Sequence, residues 1–294
     1  MTTEKWRTEM SRLTDAVLEE LDEQGFAIVP DFVTGEKLRA MQTAMRKALP
    51  PWDELPLDEA GKPQAKEFLS FPHEQMPFYE ASMDPESIDF ARRWLKTDKI
   101  HARVGGLLAR YPGHKWGGTG DDASGLHVDN INNSLLPQSE KLREFGQLSF
   151  WIHPEDVAED QAPLRLIPRQ HGTDMSKCTT LVCKAGTLCL KTNYTQHSAS
   201  DYLRKDGQRY TCGYSFGRAD HSWEGFVHYT HLGKAENAMV FRRFIGELTA
   251  SQREIWRFPP AGHPYYTEQT LGLLEEQYPG WNSDEYVSGS KVAD

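Results

Sequence analysis

Long apolar runs are missing from this chain. No stretch approaches the roughly 18 consecutive apolar residues of a membrane-spanning helix, and a mean hydropathy of -0.65 with 38% hydrophobic residues fits a soluble fold. A surplus of positive charge is missing too. Against 43 Asp and Glu stand 33 Lys and Arg, a formal net charge of -10, and a chain without a basic face is poorly suited to a nucleic-acid backbone. Cysteine is scarce. Cys178, Cys183, Cys189 and Cys212 include no C-x-x-C pair, which argues against zinc and thioredoxin-type sites and leaves small buried residues on strands as their reading. The opening Met1–Trp6 lacks the basic-then-apolar pattern of a signal peptide. With reduced thiols, this predicts a cytoplasmic protein. Internal repeats and low-complexity tracts are absent, and residues 1–294 read as a single domain.

What is present begins with helical periodicity. Leu13, Val17, Leu18 and Leu21 predict a helix over about 7–24 with Gly25 as its stop. Phe26–Val29 reads as a short strand. Thr34 is an N-cap candidate, with Glu36 in the first turn, for a second helix striped by Leu38, Met41, Met45 and Leu49 and ended by Pro50-Pro51. Residues 51–82 are rich in Pro, Asp, Glu and Lys without a period, which predicts a long loop or lid. Asp84-Pro85 opens a helix that buries Ile88, Ala91, Trp94 and Leu95.

From Ile100 the pattern turns strand-like, with a bulge expected at Gly105-Gly106. Gly113, Gly117, Gly118 and Gly120 then predict a flexible approach to the segment that follows. Further strands are expected at 147–152, 164–167, 180–184, 187–192 and 210–216. They are short and separated by turn residues, as in an antiparallel sandwich or barrel. The tail returns to helix, with a capping box at Thr249–Gln252 before Ile255 and Trp256, and a last helix over 267–277. The expected fold is mainly β with flanking α: a double-stranded β-helix (jelly-roll, cupin-like) core over about 100–217, buttressed by N- and C-terminal helices.

The chemistry gathers at Gly125-Leu126-His127-Val128-Asp129-Asn130. In an extended segment, side chains two apart share a face, so His127 and Asp129 stand together. His-x-Asp alone is a weak signal, equally readable as an incidental pair in a surface loop. One more His would complete the two-His-one-carboxylate set of non-haem Fe(II) oxygenases, which leaves positions open for other ligands. His197 follows a turn and strand at 185–190. His171 competes with it but lies in a turn, and a metal ligand needs a supported element. Beyond His197, Arg209 and Thr211 share a face. A guanidinium grips a carboxylate in a bidentate way and a hydroxyl adds a bond, which suits a dicarboxylate whose keto-acid end chelates iron.

Other residues carry weaker readings. Asn132 is a candidate contact for cosubstrate or substrate, with loop capping as the alternative, and Arg110 is either a contact to an acidic ligand or a surface residue. The run His221, Trp223, Phe226, His228, Tyr229 and His231 reads chiefly as aromatic core packing, with a role in a substrate pocket or subunit interface left open.

At this point the sequence resembles a known family. Gln24–Val33, His127-Val128-Asp129, Ala162–His171, and Ala185-Gly186-Thr187 through His197 to Arg209 are similar, in this order and approximate spacing, to motifs of the phytanoyl-CoA-dioxygenase-like proteins. The resemblance runs from about Leu18 to Phe216. It implies a jelly-roll core, Fe(II) held by His127, Asp129 and His197, and the cosubstrate 2-oxoglutarate held by Arg209, with Thr211 or Ser198 supplying a hydroxyl. It departs from the family where Ser198-Ala199 follows the distal His and where Arg169-Gln170 precedes His171; nothing after Phe216 matches.

The activity so implied is a 2-oxoglutarate-dependent dioxygenase. It would hydroxylate a small organic molecule with O2 and release succinate and CO2. Related halogenases lack the carboxylate that Asp129 supplies, which favours hydroxylation. Two other classes fit the same residues: a cupin-like metal-dependent hydrolase or isomerase, and a non-catalytic binding protein on the same scaffold. Substrate and oligomeric state are not legible.

Overall fold

The computed structural model describes residues 11–129, 147–219, 236–256, 258–263 and 266–287. Nine strands are described, and they form two antiparallel sheets. The strands are β1 (Phe26–Val29), β2 (Phe68–Ser70), β3 (Ile100–Arg110), β4 (Gln147–His153), β5 (Arg165–Ile167), β6 (Thr179–Thr180), β7 (Thr187–Thr192), β8 (Gln196–Ser198) and β9 (Arg209–Arg218). The larger sheet has the order β1-β7-β4-β9-β3-β2 and the smaller the order β6-β5-β8.

Strand alternation gives the larger sheet two distinct faces. On one, Leu148, Phe150, Ile152, Leu188, Leu190, Tyr210, Cys212, Tyr214 and Phe216 are buried in the main core. Helices α1 (Asp15–Gln24), α2 (Gly35–Ala48), α3 (Met76–Ser82) and α4 (Pro85–Leu95) contribute to that core. So do α5 (Glu236–Glu247), α6 (Ala250–Ile255), α7 (Glu268–Gln277) and α8 (Asp284–Val287). Met41, Phe90, Trp94, Phe241 and Ile255 are among the residues they bring. On the other face a smaller apolar cluster of Phe26, Leu164, Leu166, Leu181 and Cys189 joins the two sheets. Ile28 and Trp151 pack against it, and much of the rest of that face is polar.

Local signals explain most boundaries. Gly25, at φ 87°, ends α1 in the left-handed conformation, and its N–H reaches the Leu21 carbonyl at 2.9 Å. Asp84 caps α4 by accepting from the Ser87 N–H. The Thr249 capping box is present, and Thr267 caps α7 in the same way. The β3–β9 register shifts between Val104 and Leu107, where the bulge was expected. The four cysteines are free, but only Cys189 and Cys212 are buried strand residues.

Several expectations need correction. The first helix begins at Asp15, because Glu86 binds the backbone N–H groups of Arg12 and Leu13 and holds the preceding segment outside the helix. Thr34 occupies the N-cap position of α2 without a side-chain cap bond. Residues 51–82 are not one loop: they hold β2, paired with β3, and α3. The expected strand at 180–184 divides. Thr179–Thr180 pairs β5, whereas Cys183 bridges Val157, so successive residues serve different partners. Asn132 and the 221–231 run lie outside the described residues. Among the described residues no helix is long and apolar enough to cross a membrane.

Candidate metal centre

His127 and His197 meet through a two-residue antiparallel bridge, each backbone N–H donating to the other's carbonyl at 3.0 Å. This pairing sets the imidazoles side by side, with ring centroids 4.4 Å apart. His127 Nδ1 lies 2.9 Å from the Gly125 carbonyl and His197 Nδ1 lies 2.8 Å from the Thr195 carbonyl. A carbonyl only accepts, so both Nδ1 atoms carry the proton and both Nε2 atoms offer a lone pair. Those Nε2 atoms face one oxygen, Asp129 Oδ1, at 3.9 and 3.6 Å. Donor atoms of the three residues all lie within 4.8 Å of one another. Backbone carbonyls that fix the tautomer and aim of imidazoles are the usual support of a metal site.

The protonation states also suit a metal. Burial pushes the His197 imidazole down to about 3, helped by the Lys191 ammonium, so it is neutral at ordinary pH. Burial would raise the Asp129 carboxyl, but Lys191 and His197 outweigh it and hold the group at about 2. One anionic oxygen and the outward Nε2 atoms of two imidazoles make a donor set fit for a divalent ion. His171 is exposed on a single 3-10 turn, Arg169–His171, outside this cluster.

The glycine-rich approach to His127 is pinned rather than loose. The buried guanidinium of Arg165 donates to the carbonyls of Gly117 and Gly120 and to the Ser198 hydroxyl. Asp201 accepts from the backbone N–H groups of Trp116 and Gly118, each at 3.1 Å. A Cβ on Gly117 would stand 2.1 Å from the Ala199 carbonyl oxygen, so only glycine fits there. Ser198, a candidate cosubstrate contact by sequence, thus has its hydroxyl turned to Arg165.

Lys191, which sequence reasoning passed over, is fully buried on β7, and its ammonium binds Asp129 Oδ2. It also lies 4.8 Å from the Trp151 ring centroid. Its signal was available: a lone cation within the strand Thr187–Thr192, on the same face as Cys189.

A second polar cluster lies further along the same face. Arg209 opens β9 directly opposite Arg110, the last residue of β3. Arg209 donates to the Thr211 hydroxyl at 2.8 Å, and that hydroxyl lies 3.4 Å from His153 Nδ1. Glu67 answers Arg110 at 3.3 Å and His114 Nδ1 at 2.7 Å. Like charges set opposite each other are unfavourable. Burial and then Arg110 push the Arg209 guanidinium down to about 9. Burial and then Arg209 push His153 down to about 3. Four buried nitrogens of the cluster have no hydrogen-bond partner among the described residues: Arg209 Nε, Arg110 Nε, His114 Nε2 and His153 Nε2. Buried donors without acceptors are costly. Two facing guanidiniums, with Glu67 paired to Arg110 alone, make a cluster suited to an anion.

No curated protein matches the sequence. Among solved structures, the chain resembles the non-heme α-ketoglutarate-dependent carbocyclase SnoK from nogalamycin biosynthesis (TM-score 0.51, 16% identity, 76% of this chain and 91% of that one). It also resembles EvdO2 from Micromonospora carbonacea var. aurantiaca complexed with 2-oxoglutarate (0.53, 14%, 73% and 94%). A third is HygX from Streptomyces hygroscopicus with nickel and 2-oxoglutarate bound (0.50, 13%, 70% and 88%). At these identities the likeness is one of fold. Residues 21–190, more than half the sequence, match the family described as phytanoyl-CoA dioxygenase (PhyH), and the chain belongs to that family.

Proposed function

We propose that the protein is a non-haem Fe(II)- and 2-oxoglutarate-dependent dioxygenase that hydroxylates a small organic molecule. The observation that carries this reading is the convergence of two imidazole Nε2 atoms on one oxygen of Asp129, each aimed by a backbone carbonyl. Membership of the PhyH family supports it, as do the solved relatives with 2-oxoglutarate, one of them also with nickel.

His127, Asp129 and His197 would hold Fe(II), which when bound supplies the activation of O2 coupled to oxidation of 2-oxoglutarate to succinate and CO2. The protein's own part is ligation, orientation and exclusion of water. Arg209 and Thr211 would grip the distal carboxylate, with the unpartnered His153 Nε2 close by. A charged, bidentate contact in a buried socket fixes orientation better than a mobile ammonium. Trp151 and Cys189, opposite each other on β4 and β7 and on the same face as Lys191, would supply an apolar wall. Asp129 occupies a position that a halide would need, which supports hydroxylation over halogenation.

The test is product analysis. Protein loaded anaerobically with Fe(II) is exposed to O2 and 2-oxoglutarate with a panel of small organic substrates. Succinate should form, and one substrate should gain a single oxygen atom. Conversion that proceeds without O2, or with Zn(II) in place of Fe(II), would instead favour the hydrolase or isomerase reading.

A further inference from the structure

Lys191 lies outside the donor set, yet it is the residue most closely engaged with it. A fully buried ammonium is expensive unless paired, and this one is held from two sides. Its Nζ binds Asp129 Oδ2 and lies 4.8 Å from the Trp151 ring centroid. Its backbone is fixed between Phe26 of β1 and Ser149 of β4. The two oxygens of Asp129 are thereby divided: Oδ1 faces the Nε2 atoms of His127 and His197 at 3.9 and 3.6 Å, and Oδ2 faces the lysine.

We propose that Lys191 is a positioning residue that keeps Asp129 a one-oxygen ligand by holding Oδ2 away from the metal. The proposal rests on the functional reading above. The consequence is a matter of counting. Two imidazoles and one carboxylate oxygen take three positions of an octahedral ion and leave three. A chelating keto acid would take two of these and leave one. If Asp129 bound through both oxygens, keto acid and O2 could not both be accommodated. A carboxylate beside a divalent ion readily uses either one oxygen or two, so something must choose. Lys191 chooses by occupying Oδ2, with the Trp151 ring packed against its ammonium.

A role as bare charge predicts something different. Removing a cation next to a metal dication would tighten metal binding and leave the keto acid's access unchanged.

The experiment compares wild type, Lys191→Met and Lys191→Arg, each loaded anaerobically with Co(II), whose ligand-field absorption reports coordination. The titrant is 2-oxoglutarate, followed by calorimetry, and each variant's thermal transition is recorded. The Met variant should melt cooperatively and bind Co(II), with an altered cobalt spectrum and at least tenfold weaker 2-oxoglutarate binding. The Arg variant should restore both; if its melt is lost, Lys191→Gln, a neutral donor to Oδ2, takes its place as the rescue. Wild-type spectrum and affinity in Lys191→Met would overturn the proposal. So would tighter Co(II) with unchanged 2-oxoglutarate, which assigns bare charge, or loss of the cooperative melt, which assigns a structural role. Wild type that binds neither Co(II) nor 2-oxoglutarate would instead remove the functional reading on which the proposal stands.

Discussion

The two faces of the six-stranded sheet share one backbone and are both buried, yet their chemistry is opposite. Toward the helices, β4, β7 and β9 present Leu148, Phe150, Ile152, Leu188, Leu190, Tyr210, Cys212, Tyr214 and Phe216. Toward the smaller sheet the same strands present, beside Trp151 and Cys189, the buried polar residues Ser149, His153, Thr187, Lys191, Arg209, Thr211 and Ser215. Apolar burial on the first face stabilises the fold. Burial on the second works against it, because each cation and imidazole there loses its hydration. A sheet that tolerates this on one face holds its polar groups ready for a ligand, and the apolar face supplies the stability that permits it.

The largest contrast comes from paired substitutions, one on each face. Phe150→Ala should destabilise the fold by about 3–5 kcal/mol in denaturant titrations while the folded fraction still binds Fe(II). His197→Ala should abolish Fe(II) binding with a far smaller loss of stability. Similar stability losses in both variants would erase the distinction between the faces.

Within the polar face, the metal and anion ends should separate. Arg209→Ala is expected to weaken 2-oxoglutarate by about 2–5 kcal/mol and leave Fe(II) affinity nearly unchanged, as read by calorimetric titration. Unaltered 2-oxoglutarate affinity would remove Arg209 from the site.

A smaller effect, pH dependence, should appear on both sides of the sheet. Burial holds His73, stacked on Tyr79 of α3 at 4.8 Å, down to about 4. Burial and Arg209 hold His153 down to about 3. An unfolded histidine takes up its proton near 6.5, so below that pH the unfolded chain binds protons that the folded chain refuses. The stability these residues contribute is present above 6.5 and is lost as pH falls toward the folded values, by up to about 1.4 kcal/mol per pH unit for each. Urea midpoints that stay level from pH 6.5 to 4.5 would contradict this. The smallest change is Thr211→Val, which removes the hydroxyl beside Arg209. It should cost 2-oxoglutarate affinity about 1 kcal/mol, and an effect as large as that of Arg209→Ala would mean that the hydroxyl, not the guanidinium, dominates.

What was legible in the sequence depended on distance along the chain. Arg209 and Thr211 are two apart on β9, so the period of the strand placed that pair on one face before any fold was known, whereas His127 is an isolated bridge residue and Asp129 is already helical, so their meeting does not come from the strand period that the sequence suggested. Phe26–Val29 and Thr187–Thr192 each begin directly after a glycine, Gly25 and Gly186. Lys191 with Asp129, Arg110 with Arg209, and Glu67 with His114 are created by pairing between distant segments, and no local period announces them. The strand Phe68–Ser70 and helix Met76–Ser82 were hidden for another reason. A three-residue edge strand with exposed ends and a seven-residue helix are too short to display a period. Arg165 escaped notice because its role is to hold the carbonyls of Gly117 and Gly120, contacts made through backbone rather than side-chain pattern.

Whether His127, Asp129 and His197 form an iron site open to a keto acid is read from the metal-to-ketoacid absorption band. Protein, Fe(II) and 2-oxoglutarate are combined without O2, for wild type, His197→Ala and His171→Ala. The account predicts the band in wild type and in His171→Ala, and its loss or strong weakening in His197→Ala. A band that survives in His197→Ala and vanishes in His171→Ala would contradict the assignment and, with it, the role given to Arg209.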